Sequence, residues 1–327
     1  MLCPFCLSEH KPFQKEKIGY TCSNCKEAVP TKYVNDYYEF NPVVLSTIGF
    51  RGHGKTVYLA SLFHTLRRMD LHTHWPDFYT MALNDHSLDT LDENLKILAD
   101  GYLPDSTPKN FPTPTMVQVG KIPFQADSTL LCYDTGGESF EKVTQIGKYA
   151  SFVLRSKTVL FLLSLPDLGK TASERVNQME RLLTVYINGI SELGGDTNIQ
   201  HLVIVYTKAD EWVHDLPAEY NELKDYLSLG AVEGLSNHKN YMQRLYQISQ
   251  RLQSFTNDYL KASSFLNTAK ANFASQRFAI ISALGSSPVD GELSAQMTPR
   301  RVLDPLFWIM EKQQPAWRQA WRFHIFR

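Results

Sequence analysis

Cysteine is scarce in this chain of 327 residues: there are five, and four of them sit in two closely spaced pairs near the N-terminus. A disulfide-held secreted domain spreads its cysteines more widely. With no secretory signal peptide in evidence, the expected compartment is the reducing cytoplasm. Long apolar runs are also missing. The longest, 159–165 and 202–206, fall far short of the ~20 residues that cross a bilayer. Charge of one sign is not in excess, since 33 Lys and Arg meet 34 Asp and Glu for a net charge of −1. That balance excludes wholesale electrostatic attachment to nucleic acid or to an anionic membrane. There is no internal repeat and no low-complexity tract. What remains is a globular chain longer than one usual domain, which fits a large domain with a small appended module.

The most telling segment present is GFRGHGKT, residues 49–56. An apolar run (42–48) precedes it and a helix-like run (57–67) follows it. A buried strand that turns through a Gly-rich loop into a helix presents backbone N–H groups and a positive helix end to a phosphate. On this reading Gly49, Arg51, Gly52, His53, Gly54 and Val57 shape the cradle. Lys55 reaches the outer phosphates and the Thr56 hydroxyl ligates Mg²⁺.

Three later segments extend the reading, each at the end of an apolar strand. STLLCYDTGGE (128–138) ends in Asp134-Thr135-Gly136-Gly137, which fits D-x-x-G: Asp134 would hold Mg²⁺ through water, and the Gly137 N–H would meet a γ-phosphate. HLVIVYTKAD (201–210) ends in Thr207-Lys208-Ala209-Asp210, which resembles the guanine-reading N-K-x-D motif with Thr for Asn. There the Asp210 carboxylate accepts from the N1–H and amine of guanine, and the Lys208 stem lies along the base. RFAIISALG (277–285) ends in Ser282-Ala283-Leu284, like the turn that supports the guanine carbonyl. An aspartate after a strand is common as a helix cap, so the ordered set carries the weight.

By these motifs the chain resembles the P-loop GTPase superfamily of Ras-like and Arf-like G domains over about 42–312. The resemblance implies an α/β fold of three layers with a mostly parallel sheet, GTP or GDP as ligand, and a switch I threonine that senses Mg²⁺. Thr107, Thr113 and Thr115 are the candidates. Arf-like proteins share the Gly-Gly pair and place the threonine nineteen residues before the aspartate; 134 − 19 gives Thr115, with Thr113 next.

Two departures bear on chemistry. Glu138 stands where hydrolytic relatives carry a water-orienting Gln, which implies slow intrinsic hydrolysis. Arg51 occupies a loop position that is often Gly, where it either leans over the γ-phosphate as a finger in cis or points to solvent. Thr207 is expected not to tie the base loop to the P-loop as an Asn amide would.

Cys3-Pro4-Phe5-Cys6 and Cys22-Ser23-Asn24-Cys25, fifteen residues apart, form a zinc-ribbon pattern in which four thiolates hold one Zn²⁺ around a β-hairpin. Disulfides or a redox pair are the alternatives. Cys132, inside an apolar strand, reads as an inert core residue.

The expected layout is a ribbon over 1–40, a G domain over 41–312 with a helical insert at about 211–276, and an aromatic, basic tail over 313–327. Helices are predicted at 55–69, 87–99, 139–154, 172–193 and 301–312, and apolar residues at helical spacing run through 240–273. The tail's Trp317 and Trp321 either fold back or bind a partner or membrane surface.

The ribbon together with D-T-G-G-E looks like the G domains of bacterial conflict and defence clusters, among them the double-GTPases. That resemblance implies a regulatory switch acting on an effector or a partner GTPase, with face-to-face dimerisation of G domains open. A pseudo-GTPase scaffold is the alternative favoured by Glu138. A nucleic-acid adaptor is the alternative favoured by Lys11, Lys15, Lys17, Lys26 and Lys32, although Glu9, Glu16 and Glu27 dilute that patch.

Overall fold

The computed structural model describes residues 1–9, 13–105, 107–108, 110–288, 292–293 and 296–311. The tail at 313–327 lies outside the described residues.

The N-terminal module is a three-stranded antiparallel ribbon of very short strands, β1 (Gln14–Lys15), β2 (Tyr20–Thr21) and β3 (Ala28–Val29), followed by α1 (Thr31–Asn35). The chain then alternates: β4 (Asn41–Ile48), α2 (Lys55–Arg68), β5 (Tyr79–Ala82), α3 (Asp85–Ala99), β6 (Thr115–Gly120), β7 (Ser128–Tyr133), α4 (Val143–Tyr149), β8 (Thr158–Ser164), α5 (Ala172–Glu192) and β9 (His201–Thr207). Three helices follow, α6 (Asn221–Ser228), α7 (His238–Ser254) and α8 (Ser263–Asn272), then β10 (Ser275–Ile280) and α9 (Asp304–Glu311).

The seven large-sheet strands lie in the order β10-β9-β8-β4-β7-β6-β5. Every pairing is parallel except those of β6, which runs against both β7 and β5. β8, TVLFLLS, has no exposed residue, as a parallel strand covered on both faces requires. Alternation along β4 shows the layering. Val43 and Leu45 join an apolar cluster with α2, α7 and α9, whereas Val44 and Ile48 join another with α4, α5 and α8. The mostly parallel three-layer sheet and the separate N-terminal cysteine-bearing ribbon agree with the fold class read from the sequence. The ribbon is not a free appendage, because Leu2, Cys3, Leu7, Phe13, Cys22 and Val29 belong to the same buried cluster as Tyr133, Phe152 and Phe161.

Local signals account for the helix starts. Thr171 and Glu174 form a reciprocal capping box ahead of α5, and the Asn84 side chain accepts from the Ser87 N–H ahead of α3, so each satisfies a donor that the first turn leaves free. Two predicted helices are broken. The 139–154 stretch is a 3₁₀ turn, α4 and a second 3₁₀ turn, because Ala150 leaves helical geometry at φ −136° while Phe152 and Val153 turn inward. The 240–273 stretch is interrupted by a π-turn at Phe255–Tyr259 and a left-handed Lys261 at φ 57°. No described helix is long and apolar enough to cross a membrane.

Candidate nucleotide and metal sites

Ligands of a parallel α/β sheet gather at the C-terminal strand ends, and there the structure holds a cavity of about 500 Å³. Its floor is the loop between β4 and α2. Gly54 caps α2 at φ 80°, a left-handed conformation that glycine adopts without Cβ strain. Lys55 is buried, and its Nζ donates to the carbonyls of Gly49 at 3.0 Å and Phe50 at 3.1 Å. Burial pushes its ammonium down to about 8, with Asp134 and Glu138 pulling the other way.

This shift makes a prediction. With its ammonium lowered toward 8, Lys55 should begin to lose its proton above about pH 8 in the free protein, whereas a lysine held against phosphate keeps it, so nucleotide binding should take up a proton there. Nucleotide affinity should therefore fall above about pH 8, by up to about tenfold per pH unit, and be flat below it. Titration calorimetry in buffers of differing ionisation enthalpy reads the uptake, and zero uptake above that pH would refute it.

Three oxygens converge beside Lys55. Thr56 Oγ1 and Thr107 Oγ1 each lie 2.8 Å from Asp134 Oδ2 and 2.7 Å from one another. Asp134 Oδ1 is buried without a hydrogen-bond partner among the described residues. Burial raises the Asp134 carboxyl above the ordinary range, while the two hydroxyls lower it. A buried carboxylate oxygen without a donor, next to two hydroxyls, is a donor set that suits a hard cation such as Mg²⁺.

The threonine in this triad is not the one expected. Thr115 lies in the β6 ladder opposite Cys132 and, among the described residues, makes no hydrogen bond to Asp134; it lines a smaller cavity of about 50 Å³ that Thr56 and Asp134 also border. Thr113 is exposed. Thr107 takes the position because the chain at 107–108 crosses directly over Gly136, whose missing Cβ would lie 3.0 Å from the Thr107 carbonyl.

The end of β7 meets the P-loop at close range. A Cβ on Gly137 would fall 2.2 Å from the Arg51 nitrogen, so only glycine fits there. Beside it, Arg51 Nη1 lies 3.8 Å from Glu138 Oε1, with the arginine side chain 74% exposed. Arg51 thus faces the carboxylate at the cavity rim.

At the opposite end, Thr207, Lys208 and Asp210 line the cavity with Ala283 and Leu284. Thr207 Oγ1 donates to the His53 carbonyl at 3.1 Å, so it does tie the base loop to the P-loop, contrary to expectation. The His53 side chain itself is buried away from the cavity, with Nδ1 3.0 Å from the Leu162 carbonyl. Burial lowers its imidazole to about 4. Ser282 is buried, and its hydroxyl accepts from the Gly285 N–H at 2.9 Å. The Ala283 carbonyl accepts from Ser61 at 2.7 Å.

Sequence reasoning missed Asp167, which lies after β8 and accepts from Lys208 Nζ at 2.7 Å. It also missed Leu103, Pro104 and Asp105 on the cavity wall. No motif marks any of these residues, because the fold alone brings them to the site.

In the ribbon, the Sγ atoms of Cys3, Cys6, Cys22 and Cys25 all lie within 4.8 Å of one another. Cys3–Cys25 is 3.8 Å and Cys6–Cys22 is 3.7 Å. A tetrahedral Zn²⁺ with bonds of about 2.3 Å separates its sulfurs by about 3.8 Å, so the cluster is compatible with zinc. The two knuckles match bond for bond: Leu7 N–H donates to Cys3 O and Lys26 N–H to Cys22 O, with Leu7 at φ 60° and Lys26 at φ 64°. Cys132 is buried in β7.

A Gly-rich loop between β4 and α2, an aspartate paired with two threonine hydroxyls and a T-K-x-D loop at the next strand ends define a P-loop GTPase fold. The Double-GTPase 2 family model matches residues 43–257, more than half of the chain, and the chain belongs to that family. Among solved structures it is similar to the GTP-bound Ski7 GTPase-like domain of S. cerevisiae, at 13% identity and a TM-score of 0.38, with 88% of this chain and 54% of that one covered. It is also similar to the SRb-GTP/SRX complex from Chaetomium thermophilum, at 17% identity and a TM-score of 0.37, with 76% and 94% covered. The chain therefore spans about half of the Ski7 chain, and at these scores the likeness carries no argument about function. No curated protein matches the sequence.

Proposed function

We propose that this protein binds GTP with Mg²⁺ and hydrolyses it slowly, as a nucleotide-controlled switch read by a protein effector or partner GTPase. The observation that carries the reading is a cavity lined by both Lys55 of the P-loop and Asp210 of the base loop. P-loop amides and Lys55 would hold the phosphates, and the Gly137 N–H would meet the γ-phosphate. Thr56, Thr107 and Asp134 would hold Mg²⁺, which when bound neutralises phosphate charge. Asp210 would read guanine, and the Ala283–Leu284 turn would support the base. Zn²⁺ on the four cysteines, a ribbon over 1–40, a G domain over 41–312, a cytoplasmic location and a role in bacterial defence or stress belong to the same proposal.

The test is base discrimination. Wild-type protein should prefer GTP to ATP, and Asp210→Asn should weaken GTP by at least about tenfold, about 1.4 kcal/mol, while improving relative binding of xanthosine triphosphate. An amide can donate to the extra carbonyl of xanthine, whereas a carboxylate cannot. Equal wild-type affinity for ATP and GTP would end the guanine reading.

In hydrolysis, the water oxygen bonds to the γ-phosphorus as the bond to the β–γ bridging oxygen breaks, GDP leaves with that electron pair, and the water's proton passes to a γ-phosphate oxygen. Glu138 places negative charge beside that anionic centre, and Arg51 offsets it only partly from an exposed position. Turnover should be at least two orders of magnitude below the enzyme median of about 10 s⁻¹. Glu138→Gln should keep or raise single-turnover hydrolysis. Abolished hydrolysis with binding intact would instead make Glu138 the group that positions the water.

A further inference from the structure

The ribbon's cysteine knuckle, the end of β7 at Tyr133–Thr135 and the chain at Asn110–Phe111 meet at one buried point. Tyr133, the residue before Asp134, is fully buried, and its hydroxyl donates at 2.5 Å to the carbonyl of Pro4, which lies between Cys3 and Cys6. Its ring stacks on Phe152 at 4.8 Å and 8°, and Phe111 packs against both. Next door, Thr135 Oγ1 donates to the Asn110 carbonyl at 3.4 Å. On the far side of the knuckle, Arg155 Nε donates to the Leu7 carbonyl at 3.0 Å and pairs with Glu9.

Two adjacent residues are therefore anchored in opposite directions. Tyr133 is tied by its side chain to the metal knuckle, and Asp134 by its carboxylate to Thr56 and Thr107. The knuckle's shape in turn depends on four cysteine sulfurs gathered within 4.8 Å of one another, with Cys3–Cys25 at 3.8 Å and Cys6–Cys22 at 3.7 Å, a clustering that a bound metal would hold in place.

We infer that the metal-loaded ribbon sets the Mg²⁺ and nucleotide affinity of the G site, with Tyr133 as the positioning residue that aligns Asp134 from the Pro4 carbonyl. The inference rests on the assignment of Mg²⁺ to Asp134 and goes beyond it, because it makes the N-terminal metal a determinant of switch state rather than a separate structural staple. A ribbon that loses its metal relaxes the Pro4 turn, releases the Tyr133 hydroxyl and lets the end of β7 drift from Thr56.

The experiment uses full-length, zinc-loaded protein and reads the Mg²⁺ concentration at which half of the bound GTP is retained. Tyr133→Phe keeps the ring and removes only the hydroxyl. It should retain one zinc per chain yet need about fivefold more Mg²⁺, the worth of one buried hydrogen bond. Tyr186→Phe is the control, because Tyr186 also spends a buried hydroxyl, on Gln200 at 2.9 Å in the same core. A purely structural loss would move both variants alike, whereas the inference leaves the Tyr186→Phe midpoint unchanged.

Zinc removal should shift the wild-type midpoint in the same direction and shift Tyr133→Phe little further, as one shared coupling requires. Hydrogen exchange at 134–140 should rise in parallel. If Tyr133→Phe does not fold, Arg155→Ala cuts the Leu7 tie at a partly exposed position and should shift the midpoint the same way. An unchanged midpoint in the folded variant, or equal zinc-removal shifts in both proteins, overturns the inference while the G site stands. GTP that binds no protein at any Mg²⁺ concentration overturns the site assignment itself.

Discussion

Lys55→Ala is expected to weaken GTP binding at least about a thousandfold, roughly 4 kcal/mol, with no loss of melting temperature in the nucleotide-free protein. The asymmetry follows from where the charge sits. Lys55 is buried, and burial drives its ammonium toward neutrality. Its two acceptors are backbone carbonyls of Gly49 and Phe50 rather than a carboxylate. Without a phosphate the charge is thus poorly compensated, and its removal relieves a desolvation cost. With phosphate bound, the same charge makes charge-assisted hydrogen bonds in a site sheltered from water. Calorimetric titration and thermal melting of the same preparations check both halves. Wild-type affinity in the variant would sink the P-loop assignment, and a large drop in melting temperature would show that Lys55 stabilises the loop itself.

What was legible in the sequence was local. GFRGHGKT, DTGG and TKAD announce themselves because each packs its chemistry into a few residues after an apolar strand, and the sheet brings those strand ends together. The threonine that sits beside Asp134 was not legible, since a loop's path is set by what it packs against. Counting back from Asp134 led to Thr115, but backbone pairing with Cys132 holds Thr115 in β6, and Thr107 reaches the aspartate through the crossing over Gly136. Thr207 shows the same limit on a smaller scale. A hydroxyl is shorter than an amide, yet the loop lies close enough for Oγ1 to reach the His53 carbonyl. β5 was invisible because an edge strand of four partly exposed residues has little apolar pattern. The ribbon's cysteines were clear from spacing, whereas its docking was not: the Tyr133–Pro4 bond spans 129 positions.

A buried ion pair behind the base loop carries the largest expected effect on stability. Arg301 and Asp304 are 2% and 0% exposed and lie 2.9 Å apart. Tyr226 donates to Asp304 at 2.7 Å, Tyr241 donates to the same carboxylate, and Arg301 donates to the Tyr226 hydroxyl at 2.5 Å. The guanidinium also lies 4.2 Å and 4.4 Å from the centres of the two tyrosine rings. Desolvation by burial works against the Arg301 charge, but Asp304 and the two tyrosines together outweigh it and keep the guanidinium charged. Asp304→Ala would therefore leave a charged guanidinium and two tyrosine hydroxyls in the core without their acceptor, which should cost about 3–5 kcal/mol. Replacing Arg301 and Asp304 together with apolar residues should cost much less, because no charge is then stranded. The network bears on function through one neighbouring residue: Arg300 exchanges both backbone hydrogen bonds with Ser282, at the head of the turn that lines the base end of the cavity. Asp304→Ala should consequently narrow the preference for GTP over ATP at temperatures where the protein is still folded, whereas a remote core variant of equal stability should not. Denaturant unfolding gives the stability change, and paired GTP and ATP titrations give the second. An Asp304→Ala protein as stable as wild type would show that Arg301 finds other acceptors, and unchanged base preference in a destabilised one would uncouple the network from the turn.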